Sequence, residues 1–133
     1  MQFALSNDLS ELNQLAQKLE AFGQQESLTA EIVQQLNLAL DELVTNTINY
    51  GYAEEGTGTI EVKIERNGSS IEVTLADTGR PFNPFSADEP DTDADIDDRP
   101  IGGLGVFLVR SIIDDCRYAH EAGRNVVRLR KKI

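Results

Sequence analysis

Two stretches of strict alternation joined by Asn67-Gly68 constrain the fold more than any other feature. Ile60, Val62 and Ile64 alternate with Glu61, Lys63 and Glu65, and Ile71, Val73 and Leu75 alternate with Glu72 and Thr74. A period of two sends one set of side chains to a buried sheet face and the other toward water. Asn-Gly tolerates the positive φ angles of a tight turn, so the expectation is an antiparallel hairpin.

Helical periods precede the hairpin. Asp8 followed by Glu11 reads as a helix start of capping-box type, and Leu9, Leu12, Leu15, Ala16, Leu19 and Phe22 recur at helical spacing until Gly23, which is expected to close the run. A second helix is expected from about Thr29, with the stripe Ile32, Val33, Leu36, Ala39, Leu40, Leu43, Val44, Thr47 and Ile48, ending at Gly51. A short strand is expected at Gln2 to Leu5. Residues 80 to 101 carry no period and hold all four prolines, Pro81, Pro84, Pro90 and Pro100, which marks a long loop. Gly102 to Gly105 then open an apolar helix, Val106 to Ile113. Two closing strands follow at Arg117 to Glu121 and Asn125 to Lys131, turning at Gly123, with Val127 and Leu129 inward. Grouped helices and hairpin-joined strands imply an α+β class, a two-layer α/β sandwich with a mixed or antiparallel sheet, and exclude a doubly wound fold.

At 133 residues the chain is expected to form one domain. Its net charge of −11 is uneven: seven acids (Asp88, Glu89, Asp91, Asp93, Asp95, Asp97, Asp98) against Arg99 give residues 88 to 99 a charge of −6. Such a chain repels phosphate backbones, so no direct nucleic-acid partner is expected, and an acidic surface suits a basic protein. No stretch approaches the roughly 20 apolar residues of a membrane span, and no basic-then-apolar leader opens the chain. The expected location is therefore cytoplasmic, with no membrane partner. The acidic run does not match an EF-hand: counted from Asp91, Ile96 stands where glycine is required and Gly102 where glutamate is required. Cys116 and His120, the single cysteine and histidine, read as packing or surface residues rather than as ligands or nucleophiles.

Three polar islands stand where packing alone would not ask for them. Glu42, Asn46 and Asn49 fall in one helical row at the border of the second helix's apolar stripe. An asparagine carbonyl is a hard oxygen suited to magnesium, and a carboxylate one turn earlier can take a proton from a hydroxyl. Asp77-Thr78-Gly79 leaves a strand end, where a carboxylate can accept from an exocyclic amino group and a glycine lets a flat base approach; Phe82 or Phe85 could cover that base or equally belong to the core. Gly102-Gly103-Leu104-Gly105 opens a helix whose free amides and dipole favour a phosphate, without the spacing of a Walker or Rossmann loop. Read singly, each island fits an ordinary structural role as well.

In order and spacing the three islands resemble the boxes of the GHKL superfamily of gyrase, heat-shock chaperone, histidine kinase and mismatch-repair ATPases. Leu40-Asp41-Glu42-Leu43-Val44-Thr45-Asn46-Thr47-Ile48-Asn49-Tyr50-Gly51-Tyr52 resembles the N-box. Asp77-Thr78-Gly79-Arg80-Pro81-Phe82 and Ile101-Gly102-Gly103-Leu104-Gly105-Val106-Phe107-Leu108-Val109 resemble the two glycine boxes. Within the superfamily, the Val-Thr-Asn N-box followed by Tyr-Gly-Tyr is similar to the anti-sigma factor/serine-protein kinases of the RsbW type. The resemblance implies a Bergerat ATP-binding fold, a histidine-kinase-like ATP-binding domain over residues 1–133 with a lid at about 80–101. It implies ATP and Mg2+ as cofactors, Glu42 as catalytic base and Asn46 as metal ligand. The ATP-binding set it implies is Asn46, Asn49, Asp77, Gly79, Phe82, Gly102, Gly103, Leu104 and Gly105. The implied function is a serine/threonine protein kinase that phosphorylates a STAS-domain anti-anti-sigma antagonist and binds a sigma factor, as a homodimer. A non-catalytic ATP-dependent sequestering module and a detached histidine-kinase catalytic domain are the alternatives. Two departures stand out. Arg80 occupies a position where the family has a second glycine, and the last strand reads Asn125-Val126-Val127-Arg128-Leu129 where the family often carries a threonine near the adenine. That contact is expected to be lost or replaced by water.

Overall fold

The computed structural model describes residues 1–51, 58–85 and 103–133, with side chains from 105 onward in the last stretch. The expected acidic run, Arg99, Gly102 and the lid beyond residue 85 lie outside the described residues, as does the Leu104 side chain.

Five strands, β1 (Gln2–Ser6), β2 (Thr59–Asn67), β3 (Ser70–Asp77), β4 (Asp115–Glu121) and β5 (Arg124–Lys132), form one sheet in the order β1-β2-β3-β5-β4. Among the described residues every pairing is antiparallel, within the expected mixed or antiparallel sheet. The alternation works as the sequence predicts: Ile60, Val62, Ile64, Ile71, Val73, Leu75, Val127 and Leu129 lie on the buried face. Gly68 sits at φ 63° in the β2–β3 turn, and Ala122 and Gly123 sit at φ 51° and 76° in the β4–β5 turn. These are the left-handed pairs and singles that a tight hairpin requires.

Among the described residues three helices cover that face: α1 (Leu12–Gln25), α2 (Ala30–Asn46) and α3 (Gly103–Ile112), with α2 between the other two. Leu15, Leu19 and Phe22 of α1, Leu36, Ala39, Leu40, Leu43 and Val44 of α2, and Val106 and Val109 of α3 join the sheet residues in one core. Each such Val, Leu, Ile or Phe side chain contributes about 1.5–3 kcal/mol by leaving water. Among the described residues no helix is long and apolar enough to cross a membrane.

The boundaries of the first helix differ from expectation at both ends. Asp8 does cap the start, accepting from the Ser10 N–H at 2.9 Å, but the segment Leu9–Glu11 is a 3-10 turn. Glu11 does not complete a capping box with Asp8; its Oε1 accepts instead from the Ser6 N–H and hydroxyl at 3.1 and 3.0 Å, tying the helix start to the end of β1. Gly23 does not end α1. It lies inside the helix because a Cβ there would collide with Val33 of α2, so the glycine serves close helix packing. The chain turns at Ser27, φ 54°. Thr29 caps α2 as expected, its hydroxyl accepting from Ile32 N–H at 3.3 Å.

Candidate functional site

The described chain buries three polar or charged side chains, Asn46, Asp77 and Asn125. A buried polar group needs partners, so these three mark where the fold places chemistry ahead of packing. Asp77, the last residue of β3, and Asn125, the second of β5, stand directly opposite one another, and Asn46 is the last residue of α2.

On α2, the four-residue spacing of Glu42 and Asn46 brings their side chains together: Asn46 Nδ2 donates to Glu42 Oε1 at 3.3 Å. That bond occupies the amide's donor end and leaves its carbonyl oxygen as the atom able to ligate a hard cation. α2 does not continue in α geometry. Thr47–Gly51 form a π turn, with the Thr47 hydroxyl donating to Leu43 O at 3.0 Å. The wider turn breaks the helical row, so Asn49 is exposed rather than aligned beneath Asn46. Tyr50 projects from the same turn. Burial first, and the Glu42 carboxylate second, push its hydroxyl above the ordinary tyrosine range.

The start of α3 is set against this row. A Cβ on Gly105 would collide with the Glu42 carboxyl group. The glycine therefore lets helix backbone, with amides free at its first turn, lie beside a carboxylate. Gly103 opens that same turn as the first residue of α3.

The Asp77 end is more densely bonded. Asp77 Oδ1 accepts from the Gly79 N–H at 2.9 Å and from Asn125 Nδ2 at 3.1 Å. Gly79 is closely packed, since a Cβ would stand 3.0 Å from both Asp77 Oδ1 and Gly51 O and would need these neighbours to give way by a few tenths of an ångström. Arg80 binds the turn after α2 twice: its N–H donates to Gly51 O at 3.1 Å and its guanidinium to Tyr50 O at 3.0 Å. Arg80 thus ties the segment after β3 to the turn after α2. Phe82 lies 5.4 Å from Tyr50, centroid to centroid, with the rings tilted by 30°. Phe85, the other aromatic candidate, belongs to the core, where the Arg110 guanidinium stands over its ring and donates to its carbonyl.

Two side chains went unrecognised in the sequence. Asn125 is one of the buried three, and Tyr118 donates its hydroxyl to Asn125 Oδ1 at 2.5 Å. A signal existed: with Val127 and Leu129 inward, a period of two also turns Asn125 inward. Cys116 is half-buried, and its surroundings push the thiol up to about 11, first by burial, with Arg110 opposing. It stays a protonated thiol at neutral pH. His120 is exposed on β4.

Among the described residues no three His, Cys, Asp or Glu gather as a metal cluster. A magnesium ion held chiefly by phosphate oxygens needs only one or two protein ligands, and a single asparagine oxygen beside a carboxylate fits that demand.

The profile of the histidine kinase-like ATPase domain matches residues 5–131. The serine-protein kinase RsbW of Listeria monocytogenes serovar 1/2a is 29% identical over 101 residues, which are 73% of this chain and 64% of that protein. The serine-protein kinase RsbW of Bacillus subtilis is 26% identical over 103 residues, 74% of this chain and 64% of that protein. The chain thus spans about two-thirds of the length of these relatives, at 64%. Among solved structures, the histidine kinase domain of the Erythrobacter litoralis EL346 blue-light activated histidine kinase superposes with a TM-score of 0.58 at 14% identity, covering 93% of this chain and 60% of that one. That likeness concerns the fold.

Proposed function

The chain belongs to the histidine kinase-like ATPase domain family, and from that premise we propose that it is an ATP-dependent serine/threonine protein kinase acting as a partner-switching regulator. In this reading its protein substrate is a STAS-domain antagonist and its second partner a sigma factor; the serine-protein kinase relatives support the kinase part. The observation that carries this reading is Gly105 lying against Glu42. A phosphate cradled by the free amides of α3 would stand beside a carboxylate able to take a proton, which is the arrangement phosphoryl transfer needs.

In this site Asp77 Oδ2 accepts the amino group of adenine. Gly79 leaves the ring a close approach, and the Tyr50–Phe82 pair forms an aromatic wall beside it. Asn46 Oδ1 would ligate magnesium, which when bound neutralises charge on the β- and γ-phosphate oxygens. Gly103 and Gly105 present backbone to the phosphates. A serine or threonine oxygen of the partner bonds to the γ-phosphorus while its proton passes to Glu42. The bond from that phosphorus to the β–γ bridging oxygen breaks, and ADP leaves with the electron pair. Residues 1–133 act as one ATP-binding unit, in the cytoplasm, assembled as a homodimer.

The test is transfer of label from γ-labelled ATP to a STAS-domain protein, followed by phosphosite mapping, with ATP binding measured in parallel by calorimetry. Label on a serine or threonine is expected. ATP binding without transfer would leave a sequestering module, transfer to a histidine would make the chain a histidine-kinase catalytic domain, and no heat with magnesium-ATP would remove the nucleotide site altogether.

A further inference from the structure

Asn125 makes five hydrogen bonds, and its neighbours dictate which way the amide points. The Phe82 N–H can only donate, so the atom meeting it at 3.2 Å is Oδ1. The carbonyl oxygens of Gly79 and Arg80 can only accept, so the atom facing them at 3.3 and 2.9 Å is Nδ2. The Tyr118 hydroxyl adds a second donor to Oδ1 at 2.5 Å, and Asp77 Oδ1 a third acceptor for Nδ2 at 3.1 Å. An aspartate here would turn an oxygen toward three acceptors, one of them a carboxylate. A serine or threonine hydroxyl is a single atom and cannot reach both sides. Only a primary amide, with its donor and acceptor held apart in one plane, satisfies the set.

The consequence falls on Asp77. Both of its hydrogen bonds land on Oδ1, from the Gly79 N–H and from Asn125 Nδ2, and together they fix the rotation of the carboxylate. Oδ2 receives neither bond. An ionised carboxylate only accepts, so whatever meets Oδ2 must donate.

We infer that Asn125 is the positioning residue that sets the base preference of this site, holding Asp77 and the Gly79–Phe82 backbone so that Oδ2 favours an amino-purine and rejects a keto-purine. This rests on the nucleotide-binding reading of the same site. An exocyclic amino group on Oδ2 completes the carboxylate, whereas a keto oxygen at that place sets two lone pairs against each other in a buried setting, where an unpaired polar group is penalised.

The experiment is calorimetry of the full chain and of Asn125→Ser with magnesium-ATP and magnesium-inosine triphosphate, which differ at the purine 6-position. The native chain is expected to prefer ATP by about 10- to 100-fold, the worth of a hydrogen bond to a charged group. In the variant the preference should fall by roughly tenfold, chiefly through weaker ATP binding, with inosine triphosphate within about threefold of its native affinity. Loss of both nucleotides by the same factor would mean a purely structural role and overturn the inference, as would an unchanged preference. A native chain that binds both nucleotides equally would overturn it too. A native chain that binds neither would overturn the nucleotide reading itself. Should Asn125→Ser fail to fold, the native protein still decides the matter by NMR: the Asn125 side-chain amide resonances are expected to move more with ATP than with inosine triphosphate at matched saturation. Equal movement would overturn the role.

Discussion

The two ends of the site are built on opposite principles. At the Asp77 end, the carboxylate that ends β3, the Asn125 amide near the start of β5 and the backbone of Gly79, Arg80 and Phe82 are joined by hydrogen bonds that only one set of orientations satisfies. At the Glu42 end, one 3.3 Å bond links Glu42 to Asn46, and α3 meets them across a glycine that leaves no spare space. The first end is over-determined and the second is held by contact. Recognition of a rigid flat ring profits from groups fixed in advance, because little freedom is then lost on binding. An end that accepts a proton and accommodates a changing phosphate needs groups that can adjust. The comparison predicts that changes at the Glu42 end act on rate, and changes at the Asp77 end act on affinity and base choice.

The largest effect should come from Glu42. Glu42→Ala is expected to lower phosphoryl transfer by about 10²- to 10⁴-fold, the usual contribution of a general base, while ATP affinity holds. Asn46→Ala should do the reverse and weaken magnesium-dependent ATP binding. Single-turnover transfer assays beside calorimetry read both. If Glu42→Ala transfers phosphate normally, the division of labour between the two ends is wrong.

Gly105→Ala comes next. The added methyl displaces the Glu42 carboxyl group, but a carboxyl at the tip of a flexible side chain can swing aside. Alanine also has the higher helix propensity, by up to about 1 kcal/mol. Stability should therefore change little, with a melting temperature within about 4 °C of the native value. Transfer should fall by about 10²-fold, because a reacting group moved by about an ångström loses that much. A variant that is severely unfolded would show instead that the Glu42 end is as rigid as the other.

The same contrast explains what could be read in the sequence. The hairpin, the stripes of α1 and α2, and the last two strands were legible because period and turn chemistry are local. The glycine boxes and the Glu42–Asn46 pair were legible because polar residues interrupt those periods. Gly23 was misread as a stop, since its reason for being glycine is Val33, a residue on another helix. Asn49 fell out of its row because a π turn follows Asn46, and a wider turn leaves no mark on the apolar period. Asn125 looked like the first residue of an ordinary strand. Its importance comes from Gly79, Arg80 and Phe82, more than forty residues earlier in the chain.

The smallest effect should follow Arg80→Gly, which restores the residue the family prefers. The Arg80 N–H to Gly51 O bond at 3.1 Å is backbone and survives the change. Only the guanidinium bond to Tyr50 O is lost, and it lies at an exposed side chain where water can take its place. Removing it should destabilise the fold by about 0.5–1 kcal/mol, with some contribution from the freer unfolded chain that glycine brings. ATP affinity should shift by less than about threefold, since Asp77, Gly79 and Phe82 keep their bonds to Asn125 or to one another. Thermal melts and calorimetry on the same preparation measure both quantities. Greater losses from Arg80→Gly than from Asn125→Ser would mean that the Asp77 end is held through the turn after α2 rather than through β5, and that its redundancy is weaker than the bond pattern indicates.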